Sequence, residues 1–271
     1  MIIVNKVDNS YDSLADQYPD ENIIILNDNA ALFHDEYEES VAWLNESPDI
    51  IEAFSEQRYG VTDFFAKLHF KLKQEKTNFK TLYTHDKRYD GLPNVKIVHP
   101  ATPSWVSDEE AGIDTKTKNT TFITSRKSFT KAQKVRIHLA DRMINEGFDV
   151  YGRGYTAIDR KSDILKNYRF CFAIENGAYA GYHSEKVLDC FRMGVVPIYW
   201  GDPHIDQLFN PAGIIRVSIN HLDNIDFSIL NEKLYEKMMP AVIDNYNRAL
   251  QYDNSGKSII ERILKDQKCQ N

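Results

Sequence analysis

Two short apolar runs, Phe170–Ile174 and Val195–Trp200, bracket a stretch of helical periodicity, and few folds accept that order. The first run has strand composition and ends in Glu175-Asn176-Gly177, residues of turn character. A polar, aromatic loop follows. Ser184-Glu185-Lys186 then opens a helix whose Val187, Leu188 and Phe191 share one face, and Gly194 closes it. The unit reads strand, loop, helix, buried strand. Its polar residues collect where the first strand ends and the helix begins. Open α/β sheets bind ligands there, because a helix start offers unpaired N–H groups to an anion.

The same alternation runs through the chain. In the first half, Ile2–Val4, Ile23–Leu26, Val41–Leu44, Thr81–Tyr83 and Val95–Val98 resemble short buried strands. Residues 62–75 place Phe64, Phe65, Leu68 and Leu72 at helical spacing, with Thr62 as the expected N-cap. Residues 107–119 are polar and of mixed charge, which makes them the expected linker. Beyond it come a strand at 121–124, a helix at 130–146 stopped by Gly147, a strand at 148–151 and a helix near 158–166. After the opening unit, a strand at 214–217 and helices at 227–252 and 257–266 complete the chain. The expected fold is α/β, two Rossmann-like parallel-sheet domains facing a cleft, with residues 1–110 in one and 111–271 in the other.

Composition bounds the partners. A chain of 271 residues with 42% hydrophobic content can build real cores. With 33 basic against 40 acidic residues the net charge is −7, which argues against nucleic acid or an anionic membrane surface as the main partner. Three cysteines form no CxxC pair, so free thiols in a reducing compartment are expected. No stretch of about 18 apolar residues occurs, so no transmembrane segment and a cytoplasmic location are expected. The eight histidines have no zinc spacing, and in Asn27-Asp28-Asn29 one carboxylate flanked by amides makes a poor divalent site. No required metal is expected.

The central cluster holds Glu175, Asn176, Tyr182, Ser184, Glu185 and Lys186, with Arg126, Lys127 and Arg136 on the preceding strand-loop-helix. This inventory suits a nucleotide diphosphate: cations neutralise phosphate oxygens and carboxylates accept sugar hydroxyls. A solvated first helical turn would use Glu185 and Lys186 equally well. Lys186 weighs against that reading, since a cation in a first turn opposes the helix dipole unless an anion sits there.

The segment ENGAYAGYHSEKVLDCFRMGVVPIYWGDP resembles the signature of the α-1,3/α-1,4-fucosyltransferases, E-N-S, a spacer, Y-x-T-E-K, a helix and V-P-I/V-x-x-G. Asn176, Tyr182, Glu185 and Lys186 fall on its motif positions without a gap. VRIHLADRMINEGFDVYGRG is similar to the family's preceding stretch and brings Arg136 and Tyr151-Gly152-Arg153 into register. The resemblance covers about residues 120–217 and weakens before 110. It implies a GT-B architecture whose second half binds GDP-fucose and whose first half takes a carbohydrate acceptor. It further implies that Arg136 and Lys186 hold the diphosphate and that Asn176, Tyr182 and Glu185 contact the rest of the donor. Gly177 replaces the family's serine, and Ser184 stands for its threonine.

Inverting transfer requires a base for the acceptor hydroxyl. The family places a Glu, often within E-S-P, after a strand of the first domain, and this chain has Glu46-Ser47-Pro48 after Val41–Leu44. Glu46 is the expected base; the alternative is a loop carboxylate capping residues 50–54. His85-Asp86, after the Thr81–Tyr83 strand, is the second candidate. The expected function is transfer of fucose from GDP-fucose to a carbohydrate hydroxyl. The same fold with another nucleotide sugar, or a non-catalytic nucleotide-sugar or glycan binder, are the alternatives.

Overall fold

The computed structural model describes residues 1–5, 15–37, 40–74, 76–100, 102–252 and 256–269. Contacts divide the chain into two units. The first comprises Met1–Thr102, Tyr179–Tyr182 and Asn254–Asn271; the second comprises Pro103–Ala178 and His183–Asp253.

In the first unit, β1 (Ile2–Asn5), β2 (Ile24–Asn27), β3 (Ser40–Leu44), β4 (Leu82–Thr84) and β5 (Val95–Ile97) pair in that order, all parallel. Every strand expected here is present, within a residue or two. Alternate residues serve opposite faces. Leu26, Ala42, Leu44 and Leu82 pack with Ile51 of helix α1 (Pro48–Tyr59) and with Phe64, Leu68 and Leu72 of α2 (Phe64–Lys73). Ser47 caps α1 from its side chain, Pro48 opens it, and Gly60 ends it at φ 64°. Thr62 does not cap α2. The helix starts after Asp63, which lies in the left-handed region, and the Phe64 N–H donates to the Glu52 carboxylate of α1 at 2.9 Å. A tertiary acceptor thus does the work that the sequence assigned to a local hydroxyl.

In the second unit, β6 (Lys118–Ile123), β7 (Asp149–Tyr151), β8 (Tyr168–Ile174), β9 (Val196–Trp200) and β10 (Ile215–Arg216) form a parallel sheet of order β10-β9-β8-β6-β7. Helices α3 (Lys131–Asn145), α4 (Lys161–Leu165), α5 (Glu185–Arg192) and α6 (Glu232–Gln251) cover it. The side chains of β8 are buried on both faces. Phe170, Phe172 and Ile174 meet Leu139 and Met143 of α3 and Val242 of α6, while Cys171 and Ala173 meet Val187, Leu188 and Phe191 of α5. Thr130 and Gln133 form a reciprocal capping box at the start of α3. The helix expected from Phe227 begins instead at Glu232, because the Asn231 side chain caps it and Phe227–Ile229 forms a separate 3-10 turn.

The strand order positions the site. The chain runs from β6 outward to β7, then returns past β6 to β8, so the order reverses between β6 and β8. Crossovers leave opposite faces at such a point, and a crevice opens beyond the carboxyl ends of the two strands.

The stretch expected as a linker, 107–119, belongs to the second unit. Its polar side chains are engaged there: Glu110 accepts from the Ser162 hydroxyl at 2.8 Å and Asp108 pairs with Arg192. The chain changes unit at 102/103 rather than at 110/111. The last helix, α7 (Gly256–Lys268), packs Ile259, Ile260, Ile263 and Leu264 on Ile3, Ile25, Val41 and Trp43 of the first sheet rather than joining the second domain. Among the described residues, no helix is long and apolar enough to cross a membrane.

Candidate functional site

The end of β8 and the start of α5 form one hydrogen-bonded knot. Glu175 is fully buried; its carboxylate accepts from the Ser184 N–H at 2.8 Å, the Ser184 hydroxyl at 2.6 Å and the Lys186 ammonium at 3.3 Å. Ser184 caps α5, and its oxygen also meets the Lys186 ammonium at 2.8 Å. The glycine of the Tyr199-Trp200-Gly201-Asp202 turn is required by this packing. A Cβ at Gly201 would lie 2.4 Å from the Tyr199 hydroxyl and 2.5 Å from Glu175 Cγ.

Charge in this knot is shared. Lys186 lies 3.6 Å from Glu185, and Lys161 of α4 contacts both Glu185, at 3.5 Å, and Asp189, at 2.6 Å. Burial alone would raise the Glu185 carboxyl, but Lys186 and Lys161 pull it down to about 2. Glu175 and Asp189 go the other way: burial pushes both above the ordinary carboxylate range despite their lysine partners. Lys186 is therefore one member of a network of two ammonium groups and three carboxylates, not an isolated cation in a first turn. A diphosphate arriving at α5 competes with Glu175 for it, and the burial that raises the Glu175 carboxyl weakens Glu175 as a competitor.

Arg136 comes from α3 and is buried. It donates to the Ile174 carbonyl at 2.9 Å and to the Asn176 side-chain oxygen at 3.1 Å. The guanidinium thus braces the carboxyl end of β8 and sets the Asn176 amide, beside the reversal of strand order. Arg136, Glu175, Asn176, Ser184, Glu185 and Lys186 are brought together in the second unit.

Other sequence candidates lie elsewhere in that unit. Arg126 pairs with Asp141 at 2.7 Å and lies over the Tyr155 ring at 4.5 Å. Gly152 and Gly154 adopt positive φ because the β7 turn runs against the β6 end; a Cβ at Gly152 would sit 2.1 Å from the Thr124 carbonyl. Arg153 has an exposed side chain, and its carbonyl accepts from the Arg126 N–H at 3.2 Å. Tyr151 points away from the knot. Its hydroxyl meets Tyr168 at 3.1 Å within the Lys118–Asp149–Tyr168 group at the amino ends of the strands.

In the first unit, Glu46 sits in the turn between β3 and α1, held from four sides. Asp28 accepts from the Asn45 and Glu46 N–H groups at 2.6 and 3.0 Å. The Glu46 carbonyl faces His85 Nε2 at 3.1 Å. Its carboxylate oxygen accepts from the Ser47 N–H at 2.8 Å and from the Tyr182 hydroxyl at 2.6 Å. Ser47, not Glu46, caps α1. Asp28, at φ 46°, is a backbone anchor there. Tyr182, assigned to the donor by resemblance, packs in this unit, with its ring 5.0 Å from His85. Asp86 is bound through both carboxylate oxygens by Arg88, Nε donating to Oδ1 and Nη2 to Oδ2.

Three residues escaped the sequence reading. Asp189 had a signal, since it follows Glu185 by one helical turn. Lys161 had none; the fold alone brings α4 beside α5. Trp105, whose backbone N–H meets Asp189 at 2.7 Å, likewise depends on tertiary contacts. Tyr179, which the sequence offers with Tyr182 as an aromatic that stacks on a base or sugar or packs locally, packs in the first unit, with its hydroxyl 2.6 Å from Asp49 and its ring under Arg88.

Residues 113–224 match the model of the glycosyltransferase family 10 (fucosyltransferase) C-terminal domain. The chain is 36% identical over 64 residues to an alpha-(1,3)-fucosyltransferase of Helicobacter pylori, a match covering 24% of this chain and 13% of that one. It spans 14% and 23% of two further relatives, a putative fucosyltransferase of Acanthamoeba polyphaga mimivirus and a putative fucosyltransferase-like protein of Arabidopsis thaliana. A crystal structure of an alpha1,3-fucosyltransferase superposes with TM-score 0.53 at 14% identity, covering 94% of this chain and 91% of that one. Another, solved with GDP, gives 0.50 at 15% identity, with coverage of 88% and 80%. At such identities the likeness is one of fold, the GT-B fold of two parallel sheets with interleaved helices.

Proposed function

Because residues 113–224 form a glycosyltransferase family 10 (fucosyltransferase) C-terminal domain, we propose that this protein transfers fucose from GDP-fucose to a carbohydrate hydroxyl with inversion. The supporting observation is a coincidence of position. Within the family-matched segment, the Ser184 helix start and its Lys186–Glu175 knot stand at the reversal of strand order, beside Arg136 and Asn176.

The chemistry follows from charge. As the bond from the anomeric carbon to the diphosphate breaks, its electron pair moves onto the leaving phosphate oxygen. Lys186, Arg136 and the α5 N–H groups meet that charge, and fixed cations stabilise it more in the transition state than in the ground state. The acceptor oxygen bonds to the anomeric carbon from the opposite face, and its proton passes to the Glu46 carboxylate. Asn176 and Glu185 contact the donor. Three free thiols suit a reducing compartment such as the cytoplasm.

No divalent ion enters this scheme, since protein cations serve the leaving group. The test is transfer from a panel of nucleotide sugars to lactose and N-acetyllactosamine. Turnover with GDP-fucose, unchanged by a chelator, supports the reading. Turnover with a different donor only, or binding without transfer, defeats it.

A further inference from the structure

Trp105 is an exposed indole held in a fixed place. It is 69% exposed, yet its surroundings are well tied. Its backbone N–H donates to Asp189 Oδ1 at 2.7 Å, and the Ser104 hydroxyl donates to the same oxygen at 2.6 Å. The next residue, Val106, is buried in the core under α5, with its N–H on Ser104 Oγ at 3.1 Å. One face of the ring lies over Lys161, whose ammonium is 4.2 Å from the ring centroid. With the ammonium on one face and most of the residue exposed, the other face is open to solvent.

A large aromatic left in water forgoes the stabilisation of burial, and four contacts fix where this one stands. Lys161 and Asp189, which hold it, also bind or neighbour Glu185 in the first turn of α5. A single ammonium separates the indole from the Glu185 carboxylate. The plane therefore stands within about one ribose of the helix start where the proposed function places a diphosphate.

We propose that Trp105 is the stacking platform for the purine base of a nucleoside diphosphate whose phosphates lie at the α5 start. This rests on the donor-site reading given above. A base fits better than a sugar ring. The Lys161 ammonium draws electron density from the indole, which favours stacking of an electron-rich purine. It weakens the C–H contacts that a pyranose makes with an electron-rich face. Stacking is also tolerant of which purine is present, so Trp105 supplies affinity for a base and leaves its identity to hydrogen bonds.

The test compares GDP with inorganic pyrophosphate, which has no base, by calorimetry on the full chain. Trp105→Ala is expected to weaken GDP binding by about tenfold, as base–aromatic stacks do, and to leave pyrophosphate binding unchanged. Trp105→Phe keeps a ring and is expected to restore most of the GDP affinity. Trp43 is buried and Trp200 half-buried beside Glu175, whereas Trp105 is exposed, so GDP should also quench an exposed component of tryptophan emission that Trp105→Phe lacks and pyrophosphate does not affect. Equal losses for both ligands, or none for either, overturn the platform while leaving the anion site standing. Quenching of that component by lactose and not by GDP overturns it in favour of an acceptor sugar. Failure of the unmodified protein to bind either GDP or pyrophosphate overturns the donor site, and the platform with it.

Discussion

The two sheets differ in the property that decides where a parallel sheet can hold a ligand. In the first, described strands follow one another across the sheet in chain order; in the second, the order reverses between β6 and β8. The reversal creates a crevice from backbone topology alone. The second unit then needs only one compact segment, 175–189, to furnish most of its polar groups. The first unit has no such reversal among the described residues. Its candidate base sits in an ordinary turn, and its partners come from Asp28, His85 and Tyr182, far apart in the chain. A site made by topology is compact in sequence, whereas one made by convergence of loops is dispersed.

If this contrast is functional, the two sites fail differently when damaged. Glu46→Gln keeps an oxygen to accept from Ser47 and Tyr182 but removes the proton acceptor. Transfer is expected to fall on the order of a thousandfold, within the usual range for a lost general base, while GDP affinity stays constant. Transfer at an undiminished rate would move the base elsewhere, with His85 next in line.

Lys186→Met sharpens the other side. GDP affinity is expected to fall by about a hundredfold, since a charge-assisted contact to phosphate is lost. The substitution also leaves Glu175 without its cation, so the double variant with Glu175→Gln serves as the control for folding. Unchanged GDP affinity in either protein would remove Lys186 from the donor site.

The ionic network gives the second unit its own acid response. The Glu185 carboxyl is held at about 2 against an ordinary 4.5. Its stabilising contribution is complete above the ordinary value and is lost as pH falls toward 2. Glu175 has the opposite sign: its raised value means that the folded state takes up that proton first, so acidification favours folding there. Glu185→Gln is expected to cost about 2 kcal/mol at neutral pH and to flatten the acid loss of stability. The measurement is denaturant unfolding across pH 2 to 7. A variant that loses stability on acidification as steeply as the unmodified chain would place the acid response in other carboxylates.

The same contrast explains what the sequence disclosed. Strand positions were legible because Phe170–Ile174 and Val195–Trp200 are apolar on both faces, and only a buried parallel strand uses such a run. Ser184 as cap and Glu185-Lys186 as first turn followed from local rules. The Thr62 cap failed because Glu52 reaches across from another helix, and 107–119 misled because polar composition signals solvent, whereas Glu110 and Asp108 have partners within the fold. Lys161 and Trp105 were invisible, since no sequence neighbour points to them. Tyr182 was assigned to the donor by the company it keeps in sequence, and no sequence neighbour shows that its hydroxyl donates to Glu46.

Tyr182 therefore decides how far the contrast holds. It lies eight residues after Ile174 and two before Ser184, within the donor motif, yet its contacts belong to the first unit. Tyr182→Phe keeps the ring against His85 and deletes one hydrogen bond to a carboxylate. Such bonds contribute about 1.5–3 kcal/mol when the acceptor is charged, but the Ser47 N–H still holds the same oxygen. A loss near tenfold is the reasonable expectation. It should fall on kcat, because the bond orients Glu46, and leave the GDP-fucose KM and GDP affinity as they were. Steady-state kinetics with calorimetry separates the two. If KM rises while kcat holds, Tyr182 serves the donor, and the two sites are less distinct than their topologies make them.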